Sequence, residues 1–312
     1  MINTGVKKNL EKQQYIIFGN HGACKICTWT KKSITSKGEC YKAKFYGIKS
    51  HLCCQITPTL ACTNKCIFCW RDQNTPYVKK WDKNWKTETV KQIITDSIKA
   101  QRHLLVGYYG NEKADKKKLK DAENPKHFAI SLAGEPTMFP KLKELIDELH
   151  KQGKSTFVVT NGMFPEVLKK INPTQLYLSV DAPNKELFYK IDKPIYKDAW
   201  ERFNKSLDVM SKKKCRTAVR ITLIKGINIE DLHGYASLIK KADPDFVEVK
   251  AYMFVGSSRE RLLMENMPFH PEVVEFSKKL EKLLKKWKIF DEQKESRVVL
   301  LAKNKDTKIK FK

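Results

Sequence analysis

Nine cysteines are the residues best placed to do chemistry in this sequence, and eight of them fall between Cys24 and Cys69. An odd count packed into one segment is not the pattern of a secreted disulfide framework and reads as metal or redox chemistry. The tightest set is Cys62-x-x-x-Cys66-x-x-Cys69, followed directly by Trp70. A zinc site would want a fourth ligand, commonly a second Cys pair or a His pair, and the next histidine is His103. Three thiolates on one short loop can instead hold a [4Fe–4S] cube and leave one iron open to a small molecule. A looser set, Cys27, Cys40 and Cys53, is evenly spaced with twelve residues between neighbours. Cys24 and Cys54 flank it, so the choice of ligands stays open on spacing alone, and Cys54 and the isolated Cys215 also suit buried apolar thiols.

These cysteines need a frame. Strand-like apolar runs occur at 52–57, 128–133, 156–160, 175–180, 217–224, 246–254 and 298–302. Between several of them apolar residues recur at helical spacing, as in Leu142, Leu145, Ile146 and Leu149, or Trp200, Phe203, Leu207 and Met210. Pro271 opens another such stretch, where its missing N–H costs nothing. Alternating strands and helices imply parallel βαβ units. We therefore expect an α/β fold, a partial (β/α) barrel of about six units over residues 52–302. A cysteine-bearing extension would occupy 1–51, a basic insertion about 71–127, and a basic tail 303–312. Sites in such sheets lie at the carboxyl ends of the strands, which is where the Cys62 loop falls. The same logic marks Glu135, Asn161, Ser179 and Asp181, each at or just past a strand end, as groups able to hold an amine or a ribose, with a plain Asn-Gly turn an equal reading of Asn161. Arg220 and Lys250 lie inside strands, so each should face a site or a carboxylate.

Composition narrows the partners. Lys and Arg total 61 against 35 Asp and Glu, a formal net charge of +26. So large an excess on a folded chain favours nucleic acid or another anionic surface. The insertion mixes Trp81, Trp85, Tyr108 and Tyr109 with lysines, a combination that suits RNA or simply a solvated excursion. The longest apolar runs, such as Val298–Ala302, have five residues, far short of the roughly 20 that span a bilayer. The amino terminus has no apolar core of a secretory signal. A cytoplasmic protein is expected.

The CxxxCxxC-aromatic motif is the signature of radical S-adenosylmethionine (SAM) enzymes. Taken together, Cys27-x12-Cys40-x12-Cys53, Cys62-Thr63-Asn64-Lys65-Cys66-Ile67-Phe68-Cys69-Trp70-Arg71, Ser131-Leu132-Ala133-Gly134-Glu135-Pro136-Thr137 and the stretch Glu295–Leu301 resemble the archaeal wybutosine-biosynthesis family that makes 4-demethylwyosine in tRNA. The resemblance covers essentially the whole chain. It departs at Ala133, where related enzymes carry a Gly-Gly-Glu turn. It implies two [4Fe–4S] clusters, one on Cys62, Cys66 and Cys69 for SAM cleavage and an auxiliary one on Cys27, Cys40 and Cys53. It further implies N1-methylguanosine of tRNA-Phe and pyruvate as substrates, Lys42 as Schiff-base former with Lys44 as its neighbour and competitor, a lyase reaction, an external electron donor and a monomer. Two other readings compete: a radical SAM enzyme with an auxiliary cluster acting on a peptide or small molecule, and a zinc-bearing RNA-binding protein without catalysis.

Overall fold

The computed structural model describes residues 2–19 and 21–311; Met1, Asn20 and Lys312, at the ends and within the expected extension and tail, lie outside them. The chain forms two compact units, one of Met1–Cys62, Asn74–Val158 and Lys308–Lys312, the other of Thr63–Gln73 and Val159–Thr307.

The first unit begins with helix α1 (Thr4–Lys12), capped by Asn3, whose side chain accepts from the Val6 N–H at 2.8 Å. Strands β1 (Ile16–Phe18) and β2 (Gly22–Cys24) form a hairpin, and β2 runs antiparallel to β3 (Cys53–Thr57). Between β2 and β3 lie two short helices, α2 (Thr28–Ile34) and α3 (Tyr41–Tyr46). After β3 come α4 (Val90–Leu105), capped by Thr89, and α5 (Lys116–Ala122), capped by Asp115. Strand β4 (His127–Ile130) is parallel to β3, α6 (Leu142–Lys151) follows, and β5 (Ser155–Thr160) is parallel to β4. The three parallel strands coincide with expected apolar runs. The insertion is not simply a solvated excursion. Leu105 and Leu119 are fully buried with Ile26 and Ile34 from the cysteine-rich segment. Trp81 packs against Trp85, Phe139 and His21.

The second unit carries α7 (Pro165–Lys170), β6 (Gln175–Ser179), α8 (Lys185–Asp192), α9 (Ala199–Met210), β7 (Arg216–Leu223), α10 (Leu232–Ala242), β8 (Phe246–Ala251), α11 (His270–Leu284), β9 (Lys288–Gln293) and β10 (Val298–Ala302). Strands β6, β7 and β8 are parallel. β10 pairs antiparallel with β8, and β9 antiparallel with β10, so the series ends in a reversed edge. Of the two strand charges, Arg220 meets a carboxylate as expected, whereas Lys250 is held by a backbone carbonyl. Arg220 forks onto the fully buried Glu248 at 2.9 and 3.0 Å and lies 4.6 Å over the Tyr177 ring. Lys250 Nζ donates to the Ser296 carbonyl at 2.6 Å.

One buried group gives the first unit a pH signature. His127 Nδ1 is 2.7 Å from Ser155 Oγ, and Nε2 accepts the Lys49 N–H at 3.4 Å. Burial lowers its imidazole to about 4. In the unfolded chain it titrates near 6.5. Between those values the unfolded chain binds a proton that the fold cannot, so stability falls as pH drops through this window. His127→Gln should remove this dependence. Denaturant titrations at pH 6.5 and 4 should show wild type losing up to about 3 kcal/mol more than the variant. Equal losses would show that His127 does not control it.

Candidate active site

In the first unit, the chain leaving β3 runs through Pro58 to Cys62 over a turn at Ala133-Gly134-Glu135. Gly134 has φ +63°, and a Cβ there would sit 2.3 Å from the Thr59 carbonyl oxygen and 2.5 Å from that of Ala61. Only glycine fits. The Glu135 N–H then donates to Ala61 O at 2.8 Å, and Thr57 Oγ1 lies 2.6 Å from Ala133 O. The Ala133 departure leaves this turn intact because the close approach is made by Gly134. The Glu135 carboxylate is buried and accepts from the Thr137 N–H at 3.0 Å and from the Thr137 hydroxyl. Cys62 is held by its backbone, its N–H on Pro76 O at 2.9 Å and its carbonyl accepting the Val78 N–H at 3.2 Å. Gly134→Ala should cost at least about 2 kcal/mol, from the left-handed conformation plus the overlap, and lower Tm by several degrees in calorimetry. An unchanged Tm would mean the turn gives way freely.

The same unit gathers the looser cysteine set. Cys27 is the N-cap of α2 and Cys40 the N-cap of α3, neither making a side-chain cap hydrogen bond. Cys53 opens β3. Burial, and then the charge of Cys27, push its thiol up to about 12; the Lys42 ammonium pulls the other way and Cys40 adds to the rise. Those four side chains therefore share one electrostatic neighbourhood. Its walls are braced: Cys40 N–H donates to Ser50 Oγ at 2.9 Å, Thr30 Oγ1 to Ser50 O at 3.0 Å, and Gln101 Nε2 to Cys53 O at 3.2 Å. Lys42 is half-buried with Nζ 5.1 Å over the Phe157 ring, whereas Lys44 is exposed. Strand alternation turns Cys54 to the opposite face from Cys53. There Cys54 and Cys24, both fully buried, lie sulfur to sulfur at 3.9 Å, and their contact with burial holds the Cys54 thiol well above its usual range. None of the nine cysteines, all among the described residues, is in a disulfide.

In the second unit, residues 63–73 form a loop tied to the end of α8. Ile195 N–H donates to Thr63 O, Lys65 N–H to Lys193 O and Ile67 N–H to Ile191 O, at 2.8–3.2 Å. Cys69 N–H donates to Cys66 O at 3.1 Å, and Gln73 Nε2 to the same carbonyl at 2.8 Å. Cys66 Sγ lies 3.1 Å from Asp192 Oδ1. Burial and the nearby Asp181 raise the Asp192 carboxyl well above its ordinary range, with the Cys66 contact opposing. Asn161 Nδ2 donates to Thr63 Oγ1 at 2.9 Å, next to the loop's first cysteine in sequence. Ser179 is half-buried at the end of β6. Asp181 is occupied structurally: its Oδ1 accepts the Thr222 N–H at 3.0 Å, and burial lifts it to about 6.

Two residues of this unit carry no motif in the sequence. Arg261 donates Nε to Ile67 O at 3.1 Å and an Nη to Cys69 O at 2.6 Å. Gly256, at φ +60°, passes so close to Trp70 O that a Cβ would lie 2.1 Å from it. Among the described residues no three His, Cys, Asp or Glu side chains close on one point as a single metal ion requires. A mononuclear zinc cage is therefore not preformed there. Each cysteine set is instead three thiols on braced backbone, a donor set that suits iron–sulfur ligation.

The Radical SAM superfamily pattern matches residues 56–239, and the pattern described as wyosine base formation matches residues 241–303. A Pyrococcus abyssi protein named S-adenosyl-L-methionine-dependent tRNA 4-demethylwyosine synthase is 49% identical over 94% of this chain and 87% of its own. A human protein carrying the same name with the suffix TYW1 is 39% identical over 98% of this chain and 42% of its own. A structure described as TYW1 with a lysine-pyruvate adduct bound is 39% identical, with a TM-score of 0.88, covering 99% of this chain and 98% of that one. A crystal structure of archaeal TYW1 is 36% identical at a TM-score of 0.82, covering 99% and 100%.

Proposed function

The chain belongs to the S-adenosyl-L-methionine-dependent tRNA 4-demethylwyosine synthases, radical SAM enzymes of tRNA wybutosine biosynthesis, and from that premise we propose how its own residues divide the work. Cys62, Cys66 and Cys69 hold the [4Fe–4S] cluster. When bound, that cluster supplies the electron that splits SAM and releases a 5′-deoxyadenosyl radical. Glu135 receives the methionine amino group of SAM, and Asn161 and Ser179 hold its ribose or carboxylate. Cys27, Cys40 and Cys53 hold a second [4Fe–4S] cluster. The tRNA substrate is tRNA-Phe carrying N1-methylguanosine beside the anticodon, and pyruvate supplies the added carbons in a lyase reaction. Residues 1–51 act as the cluster-bearing extension of a barrel spanning 52–302. The enzyme works as a cytoplasmic monomer with an external electron donor. Among the described residues no helix is long and apolar enough to cross a membrane.

The observation that carries this reading is the shared neighbourhood of Cys27, Cys40, Cys53 and Lys42. Its support from outside the chain is the lysine–pyruvate adduct named for a TYW1 structure that is similar over 99% of this one. Lys42 Nζ, as the free amine, attacks the pyruvate carbonyl carbon. The carbonyl oxygen leaves as water, and a protonated imine remains on the lysine. The flat face of Phe157 stabilises positive charge at that nitrogen and keeps it from water on one side. The +26 net charge supplies tRNA affinity that falls steeply with salt, by roughly 0.7–0.9 log units per tenfold salt for each phosphate contact.

The test is iron and sulfide per chain after anaerobic reconstitution. About eight of each are expected for two cubes, falling to about four in Cys27→Ala. Four in the wild type would sink the auxiliary assignment. Mass spectrometry of tRNA bearing N1-methylguanosine, with SAM, reductant and pyruvate present, should then show the tricyclic base, and none without pyruvate.

A further inference from the structure

Phe254–Phe269, the segment after β8 in the second unit, exposes an unusual set of side chains. Leu263 is 62% exposed, Met264 59% and Phe269 60%. Leu263 and Met264 stand on a fixed base. Leu262 between them and Arg261 is buried. The Leu263 N–H donates to Asn266 Oδ1 at 2.9 Å, Asn266 Nδ2 to Lys225 O at 3.1 Å, and Lys225 N–H to Asn266 O at 2.9 Å. The segment is also fastened to the cysteine loop. Ser257 N–H donates to Trp70 O at 3.0 Å, and Arg261 binds the carbonyls of Ile67 and Cys69. Rigid apolar tips held beside reactive machinery are the mark of a binding surface rather than of stray exposure.

The charge around these tips selects the kind of partner. Arg259 and Arg261 are balanced by Glu260 and Glu265, so the segment itself is not a phosphate cradle. Yet half of the chain's eight arginines are at 71, 259, 261 and 297, on this segment, the cysteine loop or the β9–β10 turn. Three lie over aromatic rings: Arg71 on Trp70 at 5.2 Å, Arg259 on Phe254 at 5.3 Å and Arg297 on Phe269 at 5.0 Å. Apolar tips and flat cationic faces are the groups that stack with unpaired bases.

We propose that Leu263 and Met264 form a wedge that fills the gap left when the target base of the tRNA is drawn out of its stack, its neighbours resting on this face. The inference builds on the reading of the enzyme as one that modifies a tRNA base. A base inside a stack is out of reach of any active site, and extruding it costs a few kcal/mol. Leu, Met and Phe inserted at an opened step are a recurrent way to offset that cost.

The test uses an anticodon stem-loop RNA with 2-aminopurine next to the target base, titrated into the full-length enzyme. In wild type, fluorescence should rise on binding as the stack opens. Leu263→Ser with Met264→Ser, at exposed positions, should keep the wild-type Tm. It should weaken RNA binding at least tenfold, abolish the fluorescence rise, and leave the salt dependence of affinity unchanged, since no phosphate contact is lost. Leu263→Met with Met264→Leu keeps the apolar volume and should bind as wild type does. Unchanged affinity and fluorescence in the serine variant would overturn the wedge. So would unchanged RNA binding with slower reduction by a protein electron donor alone, which would make this face a protein dock. Failure of the underlying reading shows separately, as a wild-type enzyme that does not convert the tRNA base at all.

Discussion

Lys42→Ala is expected to remove tricycle formation by at least about a thousandfold, with release of 5′-deoxyadenosine from SAM within a few fold of wild type. The size follows from the proposed role: loss of a covalent nucleophile removes a route, not merely a contact. Lys42→Arg should fail equally, because a guanidinium keeps its charge at any working pH and cannot attack a carbonyl. Lys44→Ala should retain most activity, since Lys44 is exposed while Lys42 is half-buried over Phe157. Borohydride trapping gives an independent reading. With pyruvate present, the wild type should gain the mass of a reduced pyruvyl adduct on the peptide containing Lys42, and Lys42→Ala should gain none. An adduct that moves to Lys44, or tricycle formed at the wild-type rate by Lys42→Ala, would remove the assignment.

Much of the frame could be read from apolar spacing alone. The runs at 156–160, 175–180 and 298–302 match β5, β6 and β10 to within a residue because those strands are buried along nearly their whole length. Other elements escaped for a physical reason. β9, Lys288–Gln293, alternates exposed and half-buried residues at a sheet edge, so it has little apolar signal. Its presence reverses the chain through Arg297, at φ +46°, and makes β10 antiparallel to β8. An apolar run carries no direction, so the sequence showed the strand but not its sense. The cysteines divide in the same way. Once β3 is a strand, its alternation puts Cys53 and Cys54 on opposite faces. That Cys54 meets Cys24 required the pairing of β2 with β3, which no spacing states.

Arg261 is the clearest case of a residue invisible to motif, because its partners, Ile67 and Cys69, are more than 190 positions away. It lies in the part of the chain matched by the wyosine-base pattern, while the cysteine loop lies in the radical SAM part. One guanidinium thus ties the loop to a segment particular to this family, its Nε and an Nη donating to two carbonyls in a charge-assisted fork. We expect Arg261→Gln to slow reductive SAM cleavage at least a hundredfold. Two losses combine in that figure. The loop carrying Cys69 is released from its brace, and a fixed positive charge leaves the neighbourhood of the cysteines. The second loss alone makes added negative charge less favourable by about 1 kcal/mol, or roughly 40 mV for one electron. Spectroelectrochemical titration should therefore find the cluster harder to reduce in Arg261→Gln. Arg261→Lys restores charge but not the fork, so it should recover most of the potential and only part of the rate. If both variants kept the wild-type potential and the wild-type rate, the two hydrogen bonds would be incidental to holding the loop. If Lys rescued neither, geometry rather than charge would be the whole of Arg261's contribution.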